Sequence, residues 1–195
     1  ERGQSEAESL LYKPLIDFGL DESQLSDMSV LDIGCGTGRL VRFFAGKARK
    51  VTGVDIASEM IDRAKSDKAD LDNVDFILSN GVDLDICEDS SMDVVYSFIV
   101  FQHIPSRSVV ASYVSEINRV LKSGGYARFQ VRGYPGYMRA GLSASRYYGF
   151  DRSYIGLDKK RGWLPWPVWR GYNTVYGAFF KPTDIRKVVD KFNFS

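Results

Sequence analysis

The sequence predicts an α/β protein: a doubly wound, mainly parallel sheet with helices on both faces. Two observations carry this. Short apolar runs of strand length alternate with stretches of helical spacing between about residues 29 and 132, the pattern of a parallel sheet joined by crossover helices. The first such run, Val30 to Ile33, also ends in glycines at alternate positions, Gly34, Gly36 and Gly38, before a helical pattern begins. Sheets of this kind hold their ligands at the carboxyl ends of the strands, so the motif and the expected site coincide.

The elements follow in order. Leu10, Leu11, Leu15, Ile16 and Phe18 have helical spacing, and Pro14 interrupts them. Residues 5–18 therefore read as two short helices or one kinked helix. The first strand is expected at about 29–33 and its helix at about 37–48. Val51 to Ile56 reads as the second strand. Ser58 is a plausible N-cap for a helix running to about Lys68, with Met60, Ile61 and Ala64 on its inner face. Strands three and four are read at Val74–Leu78 and Met92–Ser97. Val109, Val110, Tyr113, Val114, Ile117, Val120 and Leu121 mark the clearest helix, with Ser106 or Ser108 as cap and Gly124-Gly125 ending it. Tyr126 to Val131 reads as strand five.

Residues 133–178 break this rhythm. Gly, Tyr, Arg and Trp dominate, and every tryptophan of the chain lies in Trp163 to Trp169. A long segment without clear periodicity usually serves function, and its aromatic content argues against disorder. It reads as a lid or substrate-pocket insertion, or as a satellite core on the sheet edge. Pro182 to Phe192 reads as a final helix. The expected organisation is a core with an N-terminal helical cap over 1–132, an aromatic and basic insertion over 133–178, and the last core helix over 179–195.

Charge is unevenly spread. Residues 1–127 carry 13 Lys/Arg against 21 Asp/Glu, whereas residues 128–170 carry 9 against 2. That basic part suits an anionic substrate or nucleic acid; a solvated loop region is the plainer reading. No run of 18 apolar residues exists, so a membrane span is not expected. No secretory signal is visible, and Cys35 and Cys87 make neither a disulfide framework nor a metal cluster. A cytoplasmic protein without a metal is expected.

A glycine-rich turn between strand and helix is a cradle for a small polar ligand, because glycine lets a ligand lie on the backbone and the helix start offers free N–H groups. Asp55, 21 residues after Gly34, falls at the end of the second strand. A carboxylate there accepts hydrogen bonds from two ribose hydroxyls. The spacing differs from the dinucleotide fingerprint G-x-G-x-x-G, since the third glycine comes one residue early at Gly38. Asp32 lies just before the turn, where it would repel a pyrophosphate and favour an ammonium group.

In Val30-Leu31-Asp32-Ile33-Gly34-Cys35-Gly36-Thr37-Gly38 the sequence resembles the first motif of the Rossmann-like (class I) S-adenosylmethionine (SAM)-dependent methyltransferases, nearly residue for residue. Val54 to Met60 is similar to their second motif. Val74 to Leu84 is similar to the third, with Asn80-Gly81 where many members carry Asp and a small residue. Asp93 to Ser97 through Gln102-His103-Ile104-Pro105 is similar to the fourth. Arg119 to Gly125 resembles the R-x-L-K-P-G-G turn, with Ser123 in place of proline. The resemblance covers about 29–132 and best matches the broad small-molecule group.

It implies a strand order of 3-2-1-4-5. The family sheet continues into an antiparallel strand pair, which is expected to be absent or truncated here because the chain stops at Ser195. It implies a cofactor site as well. Gly34, Cys35, Gly36 and Gly38 lie under the methionine part and ribose, Asp32 holds the amino group through water, and Asp55 binds the ribose. Ile56 and Met60 flank the adenine, although as apolar residues they equally suit a core. Asn80, Gly81 and Val82 lie by the adenine amino group, or form a simple turn. Ser97 and Phe98 offer backbone atoms near the methionine part.

His103 is the single histidine and follows strand four. A hydroxyl acceptor needs a base, and a histidine suits that task; shaping the loop is its alternative role. The expected function is SAM-dependent methyl transfer, O- or N-directed, to a small acceptor, aromatic or anionic, with S-adenosylhomocysteine as product. A nucleic-acid-modifying enzyme using the basic insertion, a non-catalytic SAM-binding module and, last, a nicotinamide dehydrogenase are the alternatives. Most of the chain is acidic and carries no recognised nucleic-acid motif, so nucleic acid is not the expected partner.

Overall fold

The computed structural model describes residues 20–67 and 71–129 with their side chains, Glu8, Tyr12, Lys13 and Ile16 singly, and the backbone of the strand segments 130–133, 152–158, 162–166 and 179–180. Among the described residues eight strands form one sheet: β1 (Ser29–Ile33), β2 (Lys50–Asp55), β3 (Val74–Leu78), β4 (Met92–Ser97), β5 (Leu121–Gly133), β6 (Arg152–Asp158), β7 (Gly162–Trp166) and β8 (Phe179–Phe180). Their order is β3-β2-β1-β4-β5-β6-β7, with β8 beside β5. The first five run parallel in the order 3-2-1-4-5.

Crossover helices make three of the four connections, α1 (Arg39–Ala45) from β1 to β2, α2 (Ser58–Ser66) from β2 to β3 and α3 (Arg107–Val120) from β4 to β5, whereas β3 and β4 are joined by a loop. Every residue of β1 is buried, because helices cover both faces; Val30, Leu31 and Ile33 pack in the core, and Ser29 and Asp32 are its buried polar members. On one face Val30, Val51, Val94 and Tyr96 pack with Val41 and Phe44 of α1 and Ile61 and Ala64 of α2. On the other, Leu31, Ile33, Val54 and Val95 pack with Val110, Val114 and Ile117 of α3. The i, i+4, i+7 spacing of those three explains why α3 was the easiest helix to read.

Several boundaries differ from the sequence reading. The helix after β1 is shorter than 37–48 and starts at Arg39, because Gly38 caps it in the left-handed region at φ +78°. Ser58 is not a cap but the first residue of α2. The preceding Ala57 is the N-cap, and its N–H donates to Asp55 Oδ1 at 3.0 Å. At α3 the cap is Ser106, whose hydroxyl accepts from Val109 N–H.

The sheet does not end at its fifth strand. Antiparallel β6 and β7 extend it, inside the segment read as an insertion, where truncation was expected. Gly156, Gly162 and Pro165 interrupt the strand pattern there. Pro165 is tolerated because, among the described residues, β7 lies at the end of the sheet and pairs only β6. The final helix expected at 182–192 lies outside the described residues, as does most of the helical pattern at 5–18.

Candidate cofactor and active site

Four carboxyl-end loops build the site: the turn after β1, the connection after β2 and the segments after β3 and β4. The turn is pinned first. Gly34 and Cys35 N–H both donate to Val54 O, at 2.7 and 2.9 Å, and Gly38 N–H donates to Cys35 O at 3.0 Å. Gly34, Gly36 and Gly38 all hold φ between +54° and +78°, which only glycine adopts without strain. Their surroundings differ. A Cβ on Gly34 would overlap Val100, and one on Gly38 would overlap the Phe76 ring, whereas above Gly36 there is nothing within 4 Å. The turn is thus packed at both ends and open in the middle.

Asp55 closes the turn from β2. Its Oδ2 accepts from Gly36 N–H at 2.8 Å and its Oδ1 from Ala57 N–H at 3.0 Å. Each carboxylate oxygen retains acceptor capacity toward the open side. Ile56, next along, is 69% exposed although apolar, and it touches the Gly81 position from above. Met60 and Val82 are exposed as well, so none of the three belongs to the core.

A cavity of about 420 Å³ lies over this arrangement, lined by Gly34, Asp55, Ile56, Ser79, Gly81, Val100, His103 and Tyr113 among others. Gly34, Asp55, Ile56, Gly81 and His103 of the sequence-predicted residues meet in it. The remainder sit beside or below. Asp32 is 2% exposed, under the turn. Burial and the charge of Asp55 raise its carboxyl to a pKa of about 8, against the opposing effects of Tyr96 and Arg39. The Tyr96 hydroxyl lies near it without completing a well-directed hydrogen bond. Burial also pushes the Cys35 thiol far up, which keeps it protonated and unsuited to nucleophilic work.

The side chain of Asn80 is committed to its own loop. Its carbonyl accepts from Val82 and Asp83 N–H, at 2.9 and 3.1 Å, and its amide donates to Asp83 Oδ1 at 2.7 Å. Of this loop Ser79 and Gly81 line the cavity. Ser97 is buried and its hydroxyl donates to Ile33 O at 2.9 Å, tying the end of β4 to β1. Phe98 packs in the core on the α1 face.

Sequence reasoning missed Ile99, Val100 and Tyr113. Ile99 holds φ +64°, a strained state for a β-branched residue, and both it and Val100 line the cavity. Tyr113 belongs to the apolar helical pattern of α3, and its buried face packs in the core. Its hydroxyl interacts with Ser79 at the cavity wall. No local pattern marks a core residue whose polar tip reaches a pocket.

Residues 31–129 match the family described as Methyltransferase domain. The chain belongs to this methyltransferase-domain family. Its fold is that of the Rossmann-like, SAM-dependent enzymes. It is 33% identical over 101 residues to a demethylmenaquinone methyltransferase of Staphylococcus aureus, covering 50% of this chain and 40% of that protein. It is 26% identical over 134 residues to a ubiquinone biosynthesis O-methyltransferase of Hydrogenovibrio crunogenus, covering 67% of this chain and 54% of that protein. The chain thus spans about half the length of the curated relatives it matches. Among solved structures, YcgJ from Bacillus subtilis superposes with a TM-score of 0.54 at 26% identity, covering 63% of this chain and 50% of that one. PKMT2 from Rickettsia typhi, solved with S-adenosylhomocysteine, gives 0.52 at 28%, covering 58% and 23%.

The site fits the family's cofactor. The unfilled volume above Gly36, the acceptor capacity of Asp55 and the exposed apolar surface of Ile56 are what a nucleoside requires. Among the described residues no group of His, Cys, Asp and Glu could hold a metal ion, and no helix is long and apolar enough to cross a membrane.

Proposed function

We propose that this domain transfers a methyl group from SAM to an oxygen or nitrogen of a small-molecule acceptor. The observation that carries the reading is the Asp55 carboxylate bridging the glycine turn directly beneath open space. In this reading Gly34, Cys35, Gly36 and Gly38 support the methionine part and the ribose, and Asp55 binds the ribose hydroxyls. Ile56 and Met60 flank the adenine. Gly81 and Val82 meet its edge through the backbone, with Asn80 shaping the loop. Asp32, from below, favours the ammonium group through water. The backbone of Ser97 and Phe98 bounds the methionine end.

Bound SAM supplies a methyl group on a sulfonium, open to in-line attack. The chain's part is to align the acceptor and exclude water. His103 is exposed at the cavity rim, after β4, and we assign it as general base for a hydroxyl acceptor. Its Nε2 lies 3.1 Å from the amide Nε2 of buried Gln102. The base role requires the Gln102 carbonyl, rather than its NH2, to face Nε2–H. Nδ1 then carries the lone pair.

The acceptor is read as aromatic or anionic. The names of the quinone-pathway relatives support a ring, and the basic composition of 128–170 supports an anion. The segment 133–178 is assigned to the acceptor side of the pocket. Two free, buried cysteines support a cytoplasmic setting.

Calorimetric titration of SAM, S-adenosylhomocysteine and NAD side by side tests the reading, followed by an acceptor screen with labelled methyl. SAM and its product should bind and NAD should not; NAD binding alone overturns it. Cofactor binding without turnover on any acceptor would assign a non-catalytic module. Full turnover of His103→Ala with the true substrate would remove the base.

A further inference from the structure

The strand registers place three arginines on one face of the sheet, at the carboxyl end where an acceptor must meet the cofactor. Arg128 of β5 is paired with Tyr96 of β4, which is paired with Asp32 of β1. Strand spacing puts Arg128 about 10 Å across the sheet from Asp32. Tyr96 packs on the α1 face, and residues opposite each other share a face, so Arg128 lies on that face too; it is 1% exposed. Arg132, four residues on, has the same parity and lies beyond Ser97, where β4 ends. Antiparallel β6 sets Arg152 directly opposite Arg132, and Gly156 opposite Arg128.

Two like charges placed opposite each other on an antiparallel pair destabilise it. Here the pairing is Arg against Arg, within a stretch that carries nine Lys/Arg against two Asp/Glu. The planar guanidinium fork suits a carboxylate or phosphate, and a register that sets two arginines opposite each other concentrates that preference at one position. Gly156 leaves the position facing Arg128 without a side chain. We infer that Arg132 and Arg152, backed by Arg128, form an anion subsite for a carboxylate or phosphate group on the methyl acceptor. The acceptor's identity as ligand rests on the methyltransferase reading above; the anion subsite itself does not.

The test uses the whole chain saturated with S-adenosylhomocysteine, with inorganic phosphate and benzoate as probes. Both should raise the melting temperature of the wild type. A response to phosphate alone assigns a phosphate ester, and one to benzoate alone a carboxylate; no response to either overturns the inference. Arg152→Gln should melt above the wild type in anion-free buffer, because the repulsion is gone, and should bind the responding anion at least tenfold more weakly. Arg152→Lys, which keeps the charge and loses the fork, should fall between. Wild-type anion affinity in the Arg132→Gln/Arg152→Gln chain overturns the assignment. So does a single-stranded RNA that binds a thousandfold more tightly than phosphate through the same two arginines, which marks a nucleic-acid groove instead. S-adenosylhomocysteine affinity, measured on the same samples, should stay within twofold across these variants. Its absence in the wild type would remove the methyltransferase reading and leave the anion result standing.

Discussion

Asp55 Oδ2 accepts from Gly36 N–H at 2.8 Å, so the end of β2 holds the turn that follows β1. One carboxylate both shapes the cradle and faces its open side. Asp55→Ala leaves the N–H groups of Gly36 and Ala57 without this acceptor. It should lower stability by about 1–3 kcal/mol, as expected for bonds to a charged group. S-adenosylhomocysteine affinity should fall at least tenfold, about 1.4 kcal/mol. Denaturant melts and calorimetry on one preparation separate the two losses. Unchanged cofactor affinity in a folded Asp55→Ala chain would exclude a ribose contact.

The glycines of the turn should respond differently to the same substitution. A Cβ at Gly36 meets nothing within 4 Å, whereas at Gly34 it overlaps Val100. Gly36→Ala should cost only the left-handed backbone term of about 1–2 kcal/mol, yet abolish cofactor binding by filling the cradle. Gly34→Ala should cost more, and adding Val100→Ala should recover the packing part but not the backbone part. Equal destabilisation at both positions would show that open space over Gly36 is not a property of the protein.

These contrasts show what a sequence can and cannot disclose. The bounds of β1 and β4 are legible as short, mostly apolar runs bounded by turn residues, and those of β3 as the alternation of a sheet-edge strand, with Val74 and Phe76 buried and Asp75 and Leu78 exposed. Asp55 was legible because its distance from Gly34 is set by one strand-helix-strand unit. Ser58 misleads because the helix begins one residue sooner than a Ser58 cap requires: Ala57 holds the extended N-cap conformation and no side chain caps the helix. Val100 is invisible locally, since it matters through a glycine 66 positions away. The pairing of Arg132 with Arg152 depends on a register that glycines and a proline obscure.

Asp32 makes the cradle pH-sensitive. Its carboxyl has a pKa of about 8 in the folded, ligand-free chain against an ordinary value of 3.8. Stability from this group is complete below the unfolded value and is lost as pH rises toward 8, by up to about 1.4 kcal/mol per unit. Asp32→Asn should flatten that slope in urea melts between pH 5 and 8. An ammonium group above Asp32 favours the ionised form, so cofactor binding should expel a proton and tighten from pH 6 to 8. Calorimetry in two buffers of different ionisation heat reads that proton. A binding slope that survives in Asp32→Asn belongs to another group, His103 included, and removes the assignment.

Glu116 and Arg119 of α3 grip the loop that carries Ser79 and Gly81. Glu116 Oε2 accepts from Leu84 N–H at 3.0 Å, and Arg119 Nη2 donates to Leu84 O at 2.8 Å. Arg119 Nη1 donates further to Cys87 O and Asp89, at 2.9 and 2.6 Å, and the two side chains bond each other at 2.7 and 2.9 Å. An acid and a base three apart on a helix usually form a solvated pair of small worth. This pair instead satisfies both backbone groups of a buried leucine 32 and 35 positions away. Arg119→Met, which keeps the stem, should therefore cost about 2 kcal/mol. It should also weaken S-adenosylhomocysteine binding several-fold by loosening the adenine edge. Arg119 holds the Glu116 carboxyl below its ordinary 4.5, so the pair's stability is present above pH 4.5 and lost as the pH falls through the folded value. The variant should lose that acid-side slope. A variant as stable as the wild type, with the slope intact, would place the pair among ordinary surface ion pairs and leave the loop to be held by the burial of Leu84 alone.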